Sequence, residues 1–130
     1  MQVPGYLEHS DALKAVGITE VIVFCVNDGA VMAAWAKDQG VGEDSIVTMM
    51  GDPYGEVTKL LGIELTADGP KGLGLVGRCK RTAIVLDDGV VKTFTISEAE
   101  DDPAGDDRPE ATCAPAVIEA VKGLQLKGEL

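Results

Sequence analysis

The sequence predicts an α/β fold in which helices pack against a mixed sheet, and three observations support it. Helical and extended patterns alternate through the first half of the chain, a tight turn joins two extended segments further on, and one amphipathic segment closes the sequence. A chain of 130 residues has the usual length of one domain. We therefore expect a single domain that spans residues 1–130.

The first half of the chain alternates between helices and strands. Apolar residues at helical spacing predict a first helix that runs to Val16 and ends at Gly17. Val21–Val26 is an unbroken apolar run rich in β-branched residues, which predicts a strand buried on both faces. The elements predicted next are, in order, a helix capped by Asn27 and Asp28, a short strand at Ile46–Met50 and a helix at Tyr54–Leu61.

The second half carries a loop, a hairpin and a closing helix. In the predicted loop at 66–77, Gly72, Gly74 and Gly77 match G-x-G-x-x-G. A dinucleotide site would need a strand before that motif and a helix after it, so a plain loop is the better interpretation. The elements that follow are predicted as a hairpin of Arg78–Leu86 and Val90–Ile96, an exposed acidic loop at 98–110 and a last helix at Ala114–Leu124.

Composition argues against several classes of function. The formal net charge of −11 repels nucleic acids and anionic membranes, so no nucleic-acid partner is expected. No apolar run approaches the ~20 residues of a membrane-spanning helix. With a single histidine, the chain has few ligands for a metal site, and the sequence predicts no cofactor. Three cysteines suit a reducing intracellular compartment, either the cytosol or an organelle lumen such as a plastid or mitochondrion.

The cysteines and one arginine are the candidate functional residues. Cys25 lies inside an apolar strand and is interpreted as a core residue, and Cys79 as a half-buried structural thiol between two cations. Cys113 stands at the predicted start of the last helix, where a helix N-terminus stabilises a thiolate, so a redox role and a capping role both stay open. Arg81 begins an apolar strand, and its alternatives are a surface ion pair and the stabilisation of an anion.

Six short segments together carry a resemblance that covers nearly the whole chain. They are Val3-Pro-Gly-Tyr-Leu-Glu-His9, Val26-Asn-Asp28, Ala34-Trp-Ala-Lys-Asp-Gln-Gly40, Gly51-Asp-Pro53, Arg78-Cys-Lys-Arg81 and Leu86-Asp-Asp-Gly-Val-Val-Lys92. In this order and spacing they resemble the type II peroxiredoxins, also called the peroxiredoxin-5 group. The resemblance implies a thioredoxin-like mixed sheet flanked by helices, and the lineage of thiol-dependent peroxidases.

The resemblance also implies roles for individual residues. In this family a peroxidatic cysteine at a helix start attacks the peroxide and becomes a sulfenic acid, while the helix dipole and a strand arginine hold it as a thiolate. Arg81 takes the position of that arginine, and Cys113 lies near the position of the resolving cysteine of some members. The peroxidatic cysteine would fall upstream of Met1, so we expect this chain to lack it, together with a strand in the middle of the sheet.

Three functions follow from that expectation. In the first, the chain is a non-catalytic structural or interaction subunit. A protein partner or a second copy then fills the strand position, unless Val21–Val26 pairs directly with Thr82–Leu86. In the second, the sequence is part of an active peroxidase that reduces hydrogen peroxide or alkyl hydroperoxides with electrons from thioredoxin or glutaredoxin. A third option keeps redox chemistry without peroxidase activity, through Cys113 and Cys79.

Overall fold

The computed structural model describes residues 2–130, which form helices and strands in two compact units. One unit is Glu20–Lys80, called the middle unit below, and the other is 2–19 with Arg81–Leu130, called the terminal unit. The expectation of a single domain stays a prediction. The elements are α1 (Gln2–Glu8), α2 (Ser10–Ala15), β1 (Val21–Cys25), α3 (Gly29–Asp38), β2 (Val47–Gly51), α4 (Glu56–Leu60), α5 (Asp68–Gly72), β3 (Thr82–Asp87), β4 (Val90–Ile96) and α6 (Ala114–Leu126), with a 3-10 turn at Glu110–Thr112.

The middle unit is built on two parallel strands joined by a helix. β1 and β2 pair in a register that sets Val21 opposite Val47. α3 connects them and contacts β2, and the Asp28 carboxylate caps α3 by accepting a 2.9 Å hydrogen bond from the Val31 N–H. The predicted role of Asp28 is therefore confirmed. The buried apolar residues of this unit are Met32, Ile46, Val47, Ile63 and Leu65.

The terminal unit combines a hairpin with helices from both ends of the sequence. β3 and β4 are antiparallel, and Asp88 (φ 49°) and Gly89 (φ 77°) between them are both left-handed. Two such residues are typical of the tight turn whose twist matches paired strands, so the hairpin prediction is confirmed. α6 contacts α1, α2 and β3. The buried apolar residues of this unit are Val3, Leu13, Val85, Ala114, Ile118 and Val121.

Two helical boundaries differ from the sequence prediction. The first predicted helix is broken at His9, whose backbone (φ −93°, ψ 16°) separates α1 from α2. The His9 ring nitrogen Nδ1 lies 2.8 Å from the Gly5 carbonyl oxygen, which also accepts the His9 N–H. Part of the predicted loop at 66–77 is the short helix α5, which tolerates Pro70 because N–H groups in a first helical turn have no partner in the helix.

The predictions for two strands also need correction. β3 begins at Thr82 and not at Arg78, because the Arg78 carbonyl accepts a 2.7 Å hydrogen bond from the Leu65 N–H and so binds another segment. The prediction that Val21–Val26 is buried on both faces is wrong, since the Ile22 side chain is 52% exposed. Periodicity locates a strand in the sequence, but its burial depends on neighbours that the sequence does not show.

Among the described residues, each strand pairs with one other strand of its own unit. The sheets formed by residues 2–130 have two strands each, β1 with β2 and β3 with β4. The alternative in which Val21–Val26 pairs directly with Thr82–Leu86 is therefore wrong. The Val21 N–H donates to the Ile46 carbonyl, so the backbone groups of Val21 face β2. Successive residues of a strand direct their backbone groups to opposite edges, and those of Ile22 and Phe24 therefore face the edge of β1 away from β2.

No helix among the described residues is both long enough and apolar enough to cross a membrane.

Candidate functional site around Arg81

Arg81 is held at the base of the hairpin, directly before β3. Its carbonyl accepts a 2.9 Å hydrogen bond from the Ser97 N–H, which follows the last residue of β4. The side chain is 28% exposed, so its guanidinium group reaches the boundary between the interior and solvent. A backbone fixed at a strand end gives this cation a defined position, as an anion-binding arginine requires.

The guanidinium group of Arg81 is engaged on two sides and unpaired on the third. Nη1 donates to the Gln2 side-chain oxygen at 2.8 Å, and Nη2 forms an ion pair with the Asp106 carboxylate at 2.6 Å. Nε is buried and donates to no hydrogen-bond acceptor in residues 2–130. The sequence left two roles open for Arg81, a surface ion pair and an anion-binding site. In the structure, the half-buried guanidinium group forms an ion pair with Asp106.

Gln2 links Arg81 to the segment before α6. Its side-chain nitrogen donates to the Thr112 hydroxyl at 2.6 Å and to the Thr112 carbonyl at 3.2 Å. Thr112 is fully buried, and its hydroxyl lies 2.9 Å from the hydroxyl of Ser97 and 3.1 Å from the carbonyl of Pro109. Because Gln2 donates from its nitrogen and accepts on its oxygen, its amide orientation is fixed by both partners.

Thr112 also connects this network to Tyr6 and Cys113. The Tyr6 hydroxyl donates to the Thr112 carbonyl at 2.8 Å. Burial, together with the charge that Cys113 carries when ionised, raises the pKa of Tyr6 from 10.0 to about 12. Cys113 is half-buried at the N-cap of α6, and its Sγ lies 3.4 Å from the Pro109 carbonyl oxygen. The two predicted site residues, Arg81 and Cys113, therefore belong to one network that passes through Gln2 and Thr112.

The acidic loop places Asp106 against the arginine. Asp102 is 6% exposed, and its carboxylate accepts hydrogen bonds from the N–H groups of Asp106 and Arg108, both at 3.0 Å. The prediction of an exposed loop at 98–110 is thus wrong for Asp102, since a carboxylate that accepts several N–H groups can be buried. A Cβ atom added at Gly105 would collide with the Ser97 carbonyl, so the loop lies directly against the end of β4.

The other two cysteines lie in the middle unit. Burial raises the pKa of the Cys79 thiol and outweighs the lowering effect of the neighbouring Arg78. All three cysteines are in the free thiol form. The described part of the chain contains no group of three or more His, Cys, Asp or Glu residues placed to hold a metal ion.

Sequence reasoning identified Arg81 and Cys113 but missed the residues that connect them. Gln2 and Thr112 are 110 positions apart, and no local pattern signals their contact. Asp106 was treated only as one member of an acidic run. The local sequence around position 112 carries no signal of this network, because the burial of Thr112 is visible only in the structure.

Comparisons with known proteins agree with this architecture. The family model described as Redoxin matches residues 1–112. Peroxiredoxin-2E, a chloroplastic protein of Arabidopsis thaliana, is 43% identical over 97 residues, which are 74% of this chain and 40% of the relative. Peroxiredoxin-2B of the same plant is 42% identical over 107 residues, which are 76% of this chain and 63% of the relative. The chain thus spans between 40% and 63% of the length of these two curated relatives.

A solved structure extends the similarity to the fold. Reduced Prx3 in complex with H2O2 from Vibrio vulnificus matches with a TM-score of 0.77 at 33% identity, covering 95% of this chain and 68% of that protein. The expected fold class is therefore confirmed as a thioredoxin-like α/β fold with helices and small sheets. On the family model, the relatives and this structural match, the chain belongs to the redoxin family and, within it, to the peroxiredoxins.

Proposed function

We propose that this chain is a peroxiredoxin domain that acts as a structural or interaction subunit and does not itself present a thiol that attacks peroxide. The observation that carries the proposal is the surroundings of Arg81. Its two Nη atoms bind an amide and a carboxylate, those of Gln2 and Asp106. A thiol peroxidase needs a thiolate beside its cation, because that cation stabilises both the nucleophile and the charge that develops on the peroxide.

Cys113 does not take the place of such a nucleophile in this proposal. It is the cysteine of the terminal unit, yet its Sγ lies against the Pro109 carbonyl, and Thr112 and Gln2 separate it from Arg81. By its resemblance to the family, Cys113 is proposed instead as a candidate resolving cysteine. By the same resemblance, Arg81 is the position that would stabilise a thiolate or a peroxide brought to it.

The partner proposed for such a subunit is an extended segment of a basic protein that pairs with the open edge of β1. The backbone N–H and C=O groups of Ile22 and Phe24 face this edge, and both residues line an apolar cavity of about 180 Å³ with Met50 and Val57. An added strand would satisfy those backbone groups and extend the apolar face on which the cavity lies. A net charge of −11 favours a basic partner over a second copy of this chain, since two copies would repel each other.

A second candidate function is an active peroxidase of which these residues form a part. The observation behind it is a solved relative described in complex with H2O2, which this chain matches at 33% identity. Thioredoxin or glutaredoxin would then supply the electrons. Intact-mass measurement on the native protein separates the candidates, because a mass larger by several dozen residues supports the second one.

A peroxide assay on the 130-residue chain tests the first proposal. With hydrogen peroxide and either thioredoxin or glutaredoxin as reductant, we expect no turnover above that of the reductant alone. We also expect the chain's thiols to be oxidised no faster than free cysteine. Steady turnover that is lost in Cys113→Ser would contradict the proposal and assign the reaction to this chain.

A further inference from the structure

Asp106, which contacts Arg81, has a backbone held in place by hydrogen bonding and a side chain that is exposed to solvent. The Asp106 N–H donates to the buried Asp102 carboxylate at 3.0 Å, and Gly105 beside it lies against the Ser97 carbonyl. The Asp106 side chain itself is 70% exposed. Exposed side chains change rotamer rapidly while an anchored backbone stays in place. Asp106 can therefore leave Arg81 and return to it without any rearrangement of the loop.

Arg81, in contrast, is held on the side away from Asp106. Its Nη1 is bound by Gln2, whose own nitrogen is bound to Thr112, and its Nε is buried. When the Asp106 side chain rotates away, the guanidinium is left in place with its Nη2 free to donate. Exposed ion pairs are weak because solvent competes with them and holding both side chains in place costs entropy. A small anion in solution can therefore replace the Asp106 carboxylate.

We propose that Asp106 is an internal competitor, a carboxylate that occupies Arg81 and limits the access of small anions to it. The ligand class follows from the present occupant, since a site that accepts a carboxylate at 2.6 Å from Nη2 accepts a carboxylate-sized monoanion from solution. The other charged groups of this loop segment are Asp101, Asp102, Asp107 and Arg108, of which Arg108 forms ion pairs with Asp101 and, at 3.9 Å, with Asp102. This inference rests on the proposed role of Arg81 as an anion-stabilising residue.

Labelling of Arg81 with phenylglyoxal tests the inference without any peroxidase assay. The reagent modifies accessible arginines, and peptide mass spectrometry quantifies Arg81 separately from Arg78 and Arg108. Formate is the competing anion because it reproduces the carboxylate of Asp106, and the ionic strength is kept constant. The variant is Asp106→Asn, and the control is Asp107→Asn, which removes the same charge from the adjacent exposed position.

We expect formate to protect Arg81, and Asp106→Asn to lower the concentration needed for half-protection by about two- to fivefold. Without formate, the same variant should label faster at Arg81, whereas Asp107→Asn should leave both quantities unchanged. An equal effect of the two variants, or none from Asp106→Asn while formate still protects, overturns the internal competitor but leaves Arg81 as an anion site. If formate protects no form of the protein, the anion-binding role of Arg81 fails and this inference fails with it.

Discussion

The hydrogen-bond partners of Arg81 determine which groups its guanidinium can bind. Its guanidinium donates to Gln2 and Asp106, while its buried Nε has no acceptor within the described chain. The side chain was identified from the sequence by resemblance, and its engagement by an amide and a carboxylate is a finding of the structure. The presence of an arginine at a family position therefore says little about what it holds, because that depends on which side chains the fold brings to it.

The titration of Tyr6 tests the network around Thr112 directly. In a Tyr54→Phe variant, we expect the remaining tyrosinate absorbance to appear with a midpoint of about 12, because burial and the ionised Cys113 both oppose the charge on Tyr6. Because the pKa of Tyr6 is higher in the folded chain than in the unfolded chain, the contribution of neutral Tyr6 to the free energy of unfolding is complete below pH 10. That contribution is lost as the pH rises from 10.0 towards about 12, since the unfolded chain releases its proton first.

A second variant separates the two causes of this shift. Adding Cys113→Ser removes the repulsion by the thiolate and should lower the midpoint, although burial keeps it above 10.0. Circular dichroism recorded through the same titration confirms that the chain is folded at each pH. A midpoint near 10.0 in the folded Tyr54→Phe variant would contradict the burial of Tyr6 beside the Thr112 carbonyl.

Elements in this chain are held in place by a few specific polar contacts. Asp28 caps α3, the left-handed pair Asp88 and Gly89 closes the hairpin, and Asp102 organises the acidic loop through backbone N–H groups. The first two were predicted from local sequence, because caps and tight turns are set by residues close together in the chain. The third was not, because a buried aspartate and an exposed one look alike within an acidic run.

Gly105 provides the test at the scale of the loop. Gly105→Ala should lower the free energy of unfolding by about 3 kcal/mol or more, since an added Cβ suffers left-handed strain and also collides with the Ser97 carbonyl. Gly74→Ala is the matched control, because its φ of 80° is also left-handed but its Cβ would meet open space. We expect about 1–2 kcal/mol from strain alone at that position. Urea unfolding measures the free energy of unfolding of both variants. Equal decreases in the two variants would contradict the close approach of Gly105 to the Ser97 carbonyl.

At the scale of the whole molecule, charge and strand pairing together define what the chain can bind. Its 22 acidic residues against 11 basic ones repel polyanionic partners such as nucleic acids. Within residues 2–130, the backbone groups on the outer edge of β1 have no strand partner and lie beside exposed apolar side chains, a combination that favours the addition of a strand. These two properties point to an extended basic segment as the proposed partner, and neither depends on the chemistry of a thiol.

A synthetic peptide of about eight residues that alternates Lys and Val is a suitable probe of this edge. Ile22→Lys should weaken its binding, measured by calorimetry, at least about tenfold, because a charged side chain at a strand edge repels the peptide's lysines. Val31→Lys is the control, since it adds the same charge to an apolar side chain that is 47% exposed, compared with 52% for Ile22. Equal weakening by both variants would show that only net charge is being sensed.

Local patterns in the sequence predicted the α/β class, the positions of most strands and helices, the hairpin turn and the cap of α3. These features depend on periodicity, propensity and capping, which act over a few neighbouring residues. The exposure of Ile22, the burial of Asp102 and the network that joins Arg81 to Tyr6 depend instead on how distant segments pack together. Those contacts join residues up to 110 positions apart, and no local rule specifies which distant side chains will meet.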